Sequence, residues 1–218
     1  MIKFLEKLLN LIYIQPCYFC KSSKEDNLLC SKCHDKIRFL PTGVVKTIRN
    51  CNIYVATIYD GIIKTLIKDL KYYKKKKLAV VQAQIMYEYW QQLNIQKNFI
   101  ILPVPVHPHR LKERKYNHMD LVAEKFGELT NFEVNKKFLL RIKDTQKQFK
   151  LNKKERIQNI KNAFDINKEL ELPKDSNILI IDDITSTGIT LEEIIKILKS
   201  NGYQNIQALT LATPDIWN

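Results

Sequence analysis

The chain has 218 residues with 45% hydrophobic content, enough for one ordinary core plus a small appendage. Its 36 lysines and arginines against 23 aspartates and glutamates leave a formal net charge of +13. That charge favours polyanionic partners such as nucleic acid, nucleotides or anionic lipid, although a composition rich in Lys, Asn and Ile accounts for much of the excess. No run approaches the roughly 20 apolar residues of a transmembrane helix, and neither a GxxxxGKS/T nor a GxGxxG phosphate loop occurs.

Met1 to Ile14 alternates Phe4, Leu5, Leu8, Leu9 and Ile12 with Lys3, Glu6, Lys7 and Asn10, which predicts a short amphipathic helix. It packs on the protein or lies on a membrane surface; no small-residue cleavage site follows it, so a secretory signal is not expected. Cytoplasmic residence is the reading. Next, Cys17-x-x-Cys20 and Cys30-x-x-Cys33 place two thiol pairs nine residues apart, a spacing suited to one tetrahedral Zn²⁺ held by four thiolates. Four thiolates leave no open position, so the role is structural. A segment this short lacks a core of its own, and metal binding worth about 10–16 kcal/mol in zinc-finger peptides decides whether it folds. His34 is an alternative fourth ligand. Cys51 stands apart and reads as a small buried hydrophobe. The expected division is 1–42, helix and finger, and 43–218, the main domain.

In the main domain, Ile53 to Tyr59 reads as a strand and Gly61 to Lys71 as a helix with Ile63, Leu66, Ile67 and Leu70 inward. Lys71-Tyr72-Tyr73-Lys74-Lys75-Lys76-Lys77 then offers either a phosphate-binding run with stacking aromatics or a solvated lysine face. Phe99 to Leu102 is an apolar strand stopped by Pro103, Pro105 and Pro108. Arg110, Lys112, Arg114 and Lys115 follow as a cationic loop, and a helix begins near Asn117 with Met119, Val122, Ala123 and Phe126 inward. His107, His109 and His118 lack a matching acidic partner in these spacings and read as ordinary loop histidines. Phe138 to Ile142 and Ala163 to Ile166 form a strand pair around the polar segment Lys143 to Asn162. That segment is either a loop closing over a ligand, with Arg156 as an anion clamp, or a surface helix from Asn152 to Ile160.

Ile178 to Ile181 is short, apolar and β-branched, as expected of a strand covered on both faces in a parallel sheet. Asp182 and Asp183 sit at its carboxyl end, where open α/β sheets bind ligands. The loop Thr185-Ser186-Thr187-Gly188-Ile189-Thr190 offers hydroxyls, backbone N–H groups and the positive end of a helix dipole to a phosphate. Thr190 with Glu193 fits a capping box, and Leu191, Ile194, Ile195 and Leu198 give the helix one apolar stripe. The carboxylates suit vicinal ribose hydroxyls rather than the phosphate, since like charge forbids the latter.

This apolar strand, acidic pair and Thr/Ser/Gly loop resemble the phosphoribosyltransferase motif for phosphoribosyl pyrophosphate (PRPP). The resemblance implies ribose hydroxyls on Asp182 and Asp183, the 5′-phosphate on Thr185 to Thr190, and Mg²⁺ bridging pyrophosphate and ribose hydroxyls. Pro103-Val104-Pro105-Val106-His107-Pro108 with Arg110, Arg114 and Asn117, then Thr145-Gln146, Arg156, Asn159, Ala163 and Phe164, are similar to the ComF family of competence proteins. There a four-cysteine finger precedes a phosphoribosyltransferase domain, and the resemblance runs from Cys17 to Pro214. One departure is visible: Lys115-Tyr116-Asn117-His118 stands where the family usually has Gly-Phe-Asn-Gln.

The expected fold is therefore α/β, a type I phosphoribosyltransferase-like central parallel sheet flanked by helices, with a small four-cysteine zinc module at the amino end. The resemblance implies a pocket for PRPP or ribose-5-phosphate in a protein handling single-stranded DNA during natural transformation, with other competence proteins as further partners. Arg110, Arg114 and Arg156 are candidates for pyrophosphate or DNA phosphate. The alternative is an enzyme releasing pyrophosphate from PRPP to an amine or base; no catalytic residue is identifiable.

Overall fold

The computed structural model describes residues 15–145 and 153–214, so the predicted amino-terminal helix, Met1 to Ile14, lies outside the described residues. The chain divides into two compact units between Arg38 and Phe39. The division falls before residue 42 because Phe39 bridges Thr57 and the Leu40 N–H donates to the Ala56 carbonyl at 2.9 Å. Both residues already belong to the sheet of the larger unit.

The strands of the larger unit are, in chain order, β1 (Lys46–Ile48), β2 (Cys51–Ile58), β3 (Ile100–Pro103), β4 (Glu133–Val134), β5 (Leu139–Arg141), β6 (Phe164–Ile166), β7 (Ile178–Ile184) and β8 (Ile206–Thr213). Six of them form one sheet in the order β1-β2-β8-β7-β3-β4. Only β1 pairs antiparallel; every other neighbour is parallel. Ile178, Leu179, Ile180 and Ile181 of β7 are fully buried, as both-face coverage by helices requires. β5 and β6 pair antiparallel as a separate ribbon, matching the expected strand pair.

The helices are α1 (Gly61–Tyr72), α2 (Leu78–Gln92), α3 (Pro108–Arg114), α4 (His118–Thr130), α5 (Lys153–Ile160) and α6 (Ile189–Ser200). No helix among the described residues is long and apolar enough to cross a membrane. The inward stripes expected for α1, α4 and α6 are all buried. Arg110, Lys112 and Arg114 ride on a helix, α3, rather than on a loop, because Pro108 provides a preformed first turn. Lys115 ends α3 in the left-handed region at φ 69°, the position where the family pattern carries glycine. A lysine there bears a strain of about 1–2 kcal/mol that glycine would not. The segment α5 is helical, and residues 146–152 before it lie outside the described ones.

α2 has no counterpart among the predicted elements. Its buried residues run from Leu78 through Ala83 and Met86 to Trp90 and cover more than one face, so no single apolar stripe marks it. The buried Gln82 amide is satisfied by the Leu66 carbonyl at 3.0 Å. Trp90 meets Tyr54, Phe99, Phe126 and Phe132 edge-on at centroid distances of 5.5 to 6.3 Å, tying α2 to the sheet and to α4.

Register opens the crevice. β3 ends at Pro103, opposite Ile181, while β7 continues to Ile184 alongside β8. Asp182 and Asp183 thus project past the end of β3. Trp90→Ala should destabilise the fold by about 3–5 kcal/mol, read as a lowered urea midpoint; a shift under about 1 kcal/mol would show that this aromatic cluster does not bind the helical layer to the sheet.

Candidate functional site

The two carboxylates at the end of β7 differ sharply. Asp183 is 3% exposed, and its Oδ2 receives both the Lys71 ammonium from α1 and His118 Nε2 from α4, the latter at 2.9 Å. Burial opposes ionisation, yet Lys71 and His118 outweigh it and hold the Asp183 carboxyl well below the usual carboxylate range. Burial likewise works against the Lys71 charge, but Asp183 more than restores it and its pKa is raised. For His118 burial prevails over Asp183, and its pKa is lowered. A neutral ring beside an acceptor-only carboxylate must donate from Nε2, which leaves Nδ1 buried as a bare acceptor with no partner. Asp182 is only half-buried and lines the cavity; burial, then the neighbouring Asp183 charge, push its carboxyl up to about 7.

Beyond the acids, Thr185 is buried and its N–H donates to the Ala212 carbonyl at 3.0 Å, extending the sheet pairing. The turn that follows is Ser186 to Gly188, and Ile189 and Thr190 open α6. Gly188 caps α6 at φ 80°, and a Cβ there would stand 2.6 Å from Ile48 Cδ1. Lys46 Nζ, on β1, donates to the Thr187 carbonyl at 3.2 Å. The expected capping box does not form. The helix starts two residues earlier, at Ile189, and Glu193 Oε1 instead accepts the Asn162 N–H at 2.8 Å. With glycine as its cap, α6 opens toward the cavity with no side chain of that residue over its first turn.

A cavity of about 520 Å³ lies between these elements, and Ser186, Thr190, both acids, Lys71, Arg110, Arg114 and Arg141 are among its lining residues. The Arg110 and Arg141 guanidiniums both donate to Thr145, one to its carbonyl and one to its hydroxyl. Burial, then the Arg110 charge, bring Arg141 down to about 10, and its buried Nε has no partner. Arg114 stacks on Tyr72 at 5.1 Å. Arg156 lies on α5, but its side chain is outside the described residues. His107 and His109 do find an acidic partner, Asp144, at 3.7 and 3.3 Å. The carboxylate comes from far along the chain, as Asp183 does for His118.

In the smaller unit, the sulfurs of Cys17, Cys20, Cys30 and Cys33 all lie within 4.8 Å of one another, with Cys20 and Cys30 at 3.5 Å. Tetrahedral zinc thiolates have edges of roughly 3.8 Å, so the cluster can hold a metal ion such as zinc. Burial and the neighbouring thiols push Cys33 up to about 12; for Cys17 burial is outweighed by backbone N–H donors, which bring it to about 6. Four thiolates at this spacing need a cation. Glu25 accepts the N–H and hydroxyl of Ser31 at 2.9 and 2.7 Å, securing the helical turn Ser31–His34 that carries Cys33.

Residues 121–215 match the family model described as a phosphoribosyl transferase domain. Competence protein F of Haemophilus influenzae is 35% identical over 113 residues, 51% of this chain and 49% of that protein. The DNA utilization protein YhgH of Salmonella typhimurium is 27% identical over 158 residues, 70% of this chain and 68% of the relative. Its Escherichia coli K12 counterpart is 26% identical over 208 residues, 89% and 88% of the two chains. The chain is thus similar to ComF-like proteins, and its residues 121–215 match a phosphoribosyl transferase domain. The aligned stretch spans about half the length of the Haemophilus relative.

Asp182, Asp183, Ser186, Thr190, Arg110 and Arg114 line one cavity, whereas Thr185, Thr187, Gly188 and Ile189 are not among its lining residues. Lys71, His118 and Arg141 were not anticipated as site residues, yet each left a signal. Lys71 follows Ile63 and Ile67 at helical spacing, His118 precedes Val122 and Phe126 likewise, and Arg141 shares a strand face with Leu139. Carboxyl-detected NMR should find Asp182 titrating near pH 7 and shifting upward in Lys71→Met, where the ammonium's lowering influence is lost. Titration near the ordinary value of about 4 would contradict the described burial.

Proposed function

We propose that this chain binds a phosphorylated pentose, PRPP or ribose-5-phosphate, at the end of β7, and that it handles single-stranded DNA in the cytoplasm during DNA uptake. The observation carrying the first half is the convergence on one cavity of the acidic pair, Ser186, Thr190 and a cationic wall. Asp182 accepts the ribose hydroxyls. The turn and the start of α6 take the 5′-phosphate, and Arg110, Arg114 and Arg141 face any further phosphate. The second half draws on the relatives, one called a competence protein and others DNA utilization proteins. Tyr72 and Tyr73 are about half exposed beside exposed Lys74 to Lys77, a composition that suits stacking bases and backbone phosphates. The cysteine cluster holds Zn²⁺ as a structural ion.

Catalysis of pyrophosphate release from PRPP is a second reading, favoured by the unpaired Arg141 Nε in the cavity wall. Steady pyrophosphate production with an amine or base acceptor distinguishes it from binding alone. Mg²⁺ does not fit the acids of the site: Asp183 Oδ2 is already occupied by Lys71 and His118, and Asp182, at about 7, is partly protonated at neutral pH.

Calorimetry tests the sugar-phosphate reading. Affinity for ribose-5-phosphate should rise as pH passes upward through about 7, because the ionised Asp182 is the better acceptor for hydroxyls. The ligand's own second ionisation, near 6, acts in the same direction at lower pH. Asp182→Asn should keep that lower rise, lose the one near 7 and bind roughly tenfold more weakly. Unchanged affinity in Asp182→Asn would refute the assignment. Gel shifts should show single-stranded DNA released steeply by salt and displaced by PRPP, and indifference to PRPP would separate the two sites. Stripping the metal should expose the four clustered thiols to a thiol reagent while the sheet domain keeps its thermal midpoint; buried thiols after chelation would argue against a structural ion.

A further inference from the structure

We infer that Lys71 is a built-in cation at the acidic end of β7, and that phosphorylated-pentose binding in this pocket needs no divalent metal. The inference rests on the sugar-phosphate reading above and specifies its ionic requirement. Two adjacent carboxylates at the mouth of a phosphate site pose a charge problem, since both repel the ligand. A divalent cation is one remedy. Here another is already in place: the Lys71 ammonium sits on Asp183 Oδ2, with the Lys71 side chain 19% exposed and that of Asp183 buried at 4%. His118 holds the same oxygen at 2.9 Å, so that oxygen has protein donors on two sides.

Three further observations point the same way. Among the described residues, the only close cluster of three or more His, Cys, Asp or Glu ligand atoms is the cysteine set in the other unit, so the acids do not combine with other ligands into a cage for a hard cation. The remaining acid, Asp182, has its carboxyl pushed up to about 7 by burial and the Asp183 charge, which weakens it as a ligand for a hard cation at neutral pH. Arg110 and Arg141, fixed side by side on Thr145, add positive charge to the same cavity. Lys71 and His118 both lie outside the stretch matching the phosphoribosyl transferase domain, residues 121–215. The countercharge from Lys71 on α1 and the hydrogen-bond donor from His118 at the start of α4 thus come from outside that stretch.

The test is calorimetric titration of the full-length, zinc-loaded protein with ribose-5-phosphate, in magnesium-free buffer without chelator and again with millimolar Mg²⁺. Wild type should bind equally in both, within about twofold. Lys71→Met should bind roughly tenfold more weakly without magnesium and recover part of the loss with it, because Asp183 is then exposed to the ligand and free to take a cation. If Lys71→Met does not fold, Lys71→Met/Asp183→Asn, which removes both charges, should fold and bind with no response to magnesium. A wild type that binds only with Mg²⁺ would overturn the inference while leaving the sugar-phosphate reading intact. Lys71→Met indistinguishable from wild type without magnesium would also overturn it, and absence of binding under both conditions would overturn the reading and the inference together.

Discussion

A carboxylate buried at the end of a parallel strand cannot be left without a countercharge, and the architecture around the cavity follows from how Asp183 obtains one. The interior disfavours an isolated ion by several kcal/mol. Lys71 must therefore reach it from the end of α1, and His118 from the first turn of α4. Three elements distant in sequence meet on one oxygen. Such a pair is weak evidence for net stability, because desolvation offsets much of the attraction, but losing one partner strands the other and costs about 3–5 kcal/mol. Its contribution is geometric, fixing where two helices end relative to β7.

The rest of the site is arranged around the charge this leaves over. With Asp183 matched internally, Asp182 is the acid in the cavity wall left without a cationic partner among the described residues, and burial, then the Asp183 charge, makes it reluctant to ionise. Arg110 and Arg141 are brought together despite their repulsion by the carbonyl and hydroxyl of Thr145, and the Arg141 charge in turn draws the Asp182 carboxyl down. The cavity thus combines acceptors for hydroxyls and cationic donors carried by β5, β7, α1, α3 and α4 rather than by one motif.

What the sequence made legible was local. The run Ile178 to Ile181 identified β7, the residues after it identified the acidic pair and turn, and cysteine spacing identified the four-thiol cluster that can hold a metal ion. Amphipathic stripes identified α1, α4 and α6. By contrast, α2 was hidden because a helix buried on several faces has no contrast to read, and β8 because its mixed composition, Ile206 to Thr213, gains meaning only between β2 and β7. Lys71 was hidden inside a lysine run whose other members are exposed. Its partner lies more than a hundred residues away, and no local pattern carries that pairing. The capping box failed for a related reason: Glu193 had a tertiary offer, the Asn162 N–H, that outcompeted the local one.

The turn at residue 188 is held to glycine by its own backbone as well as by a neighbour. At φ 80° any side chain there is strained whatever the space around it, and a Cβ would also stand 2.6 Å from Ile48 Cδ1 on the antiparallel edge strand. Shortening Ile48 would clear the second obstacle and leave the first, so a change at the rim of the sheet does not by itself make room for a larger residue at 188.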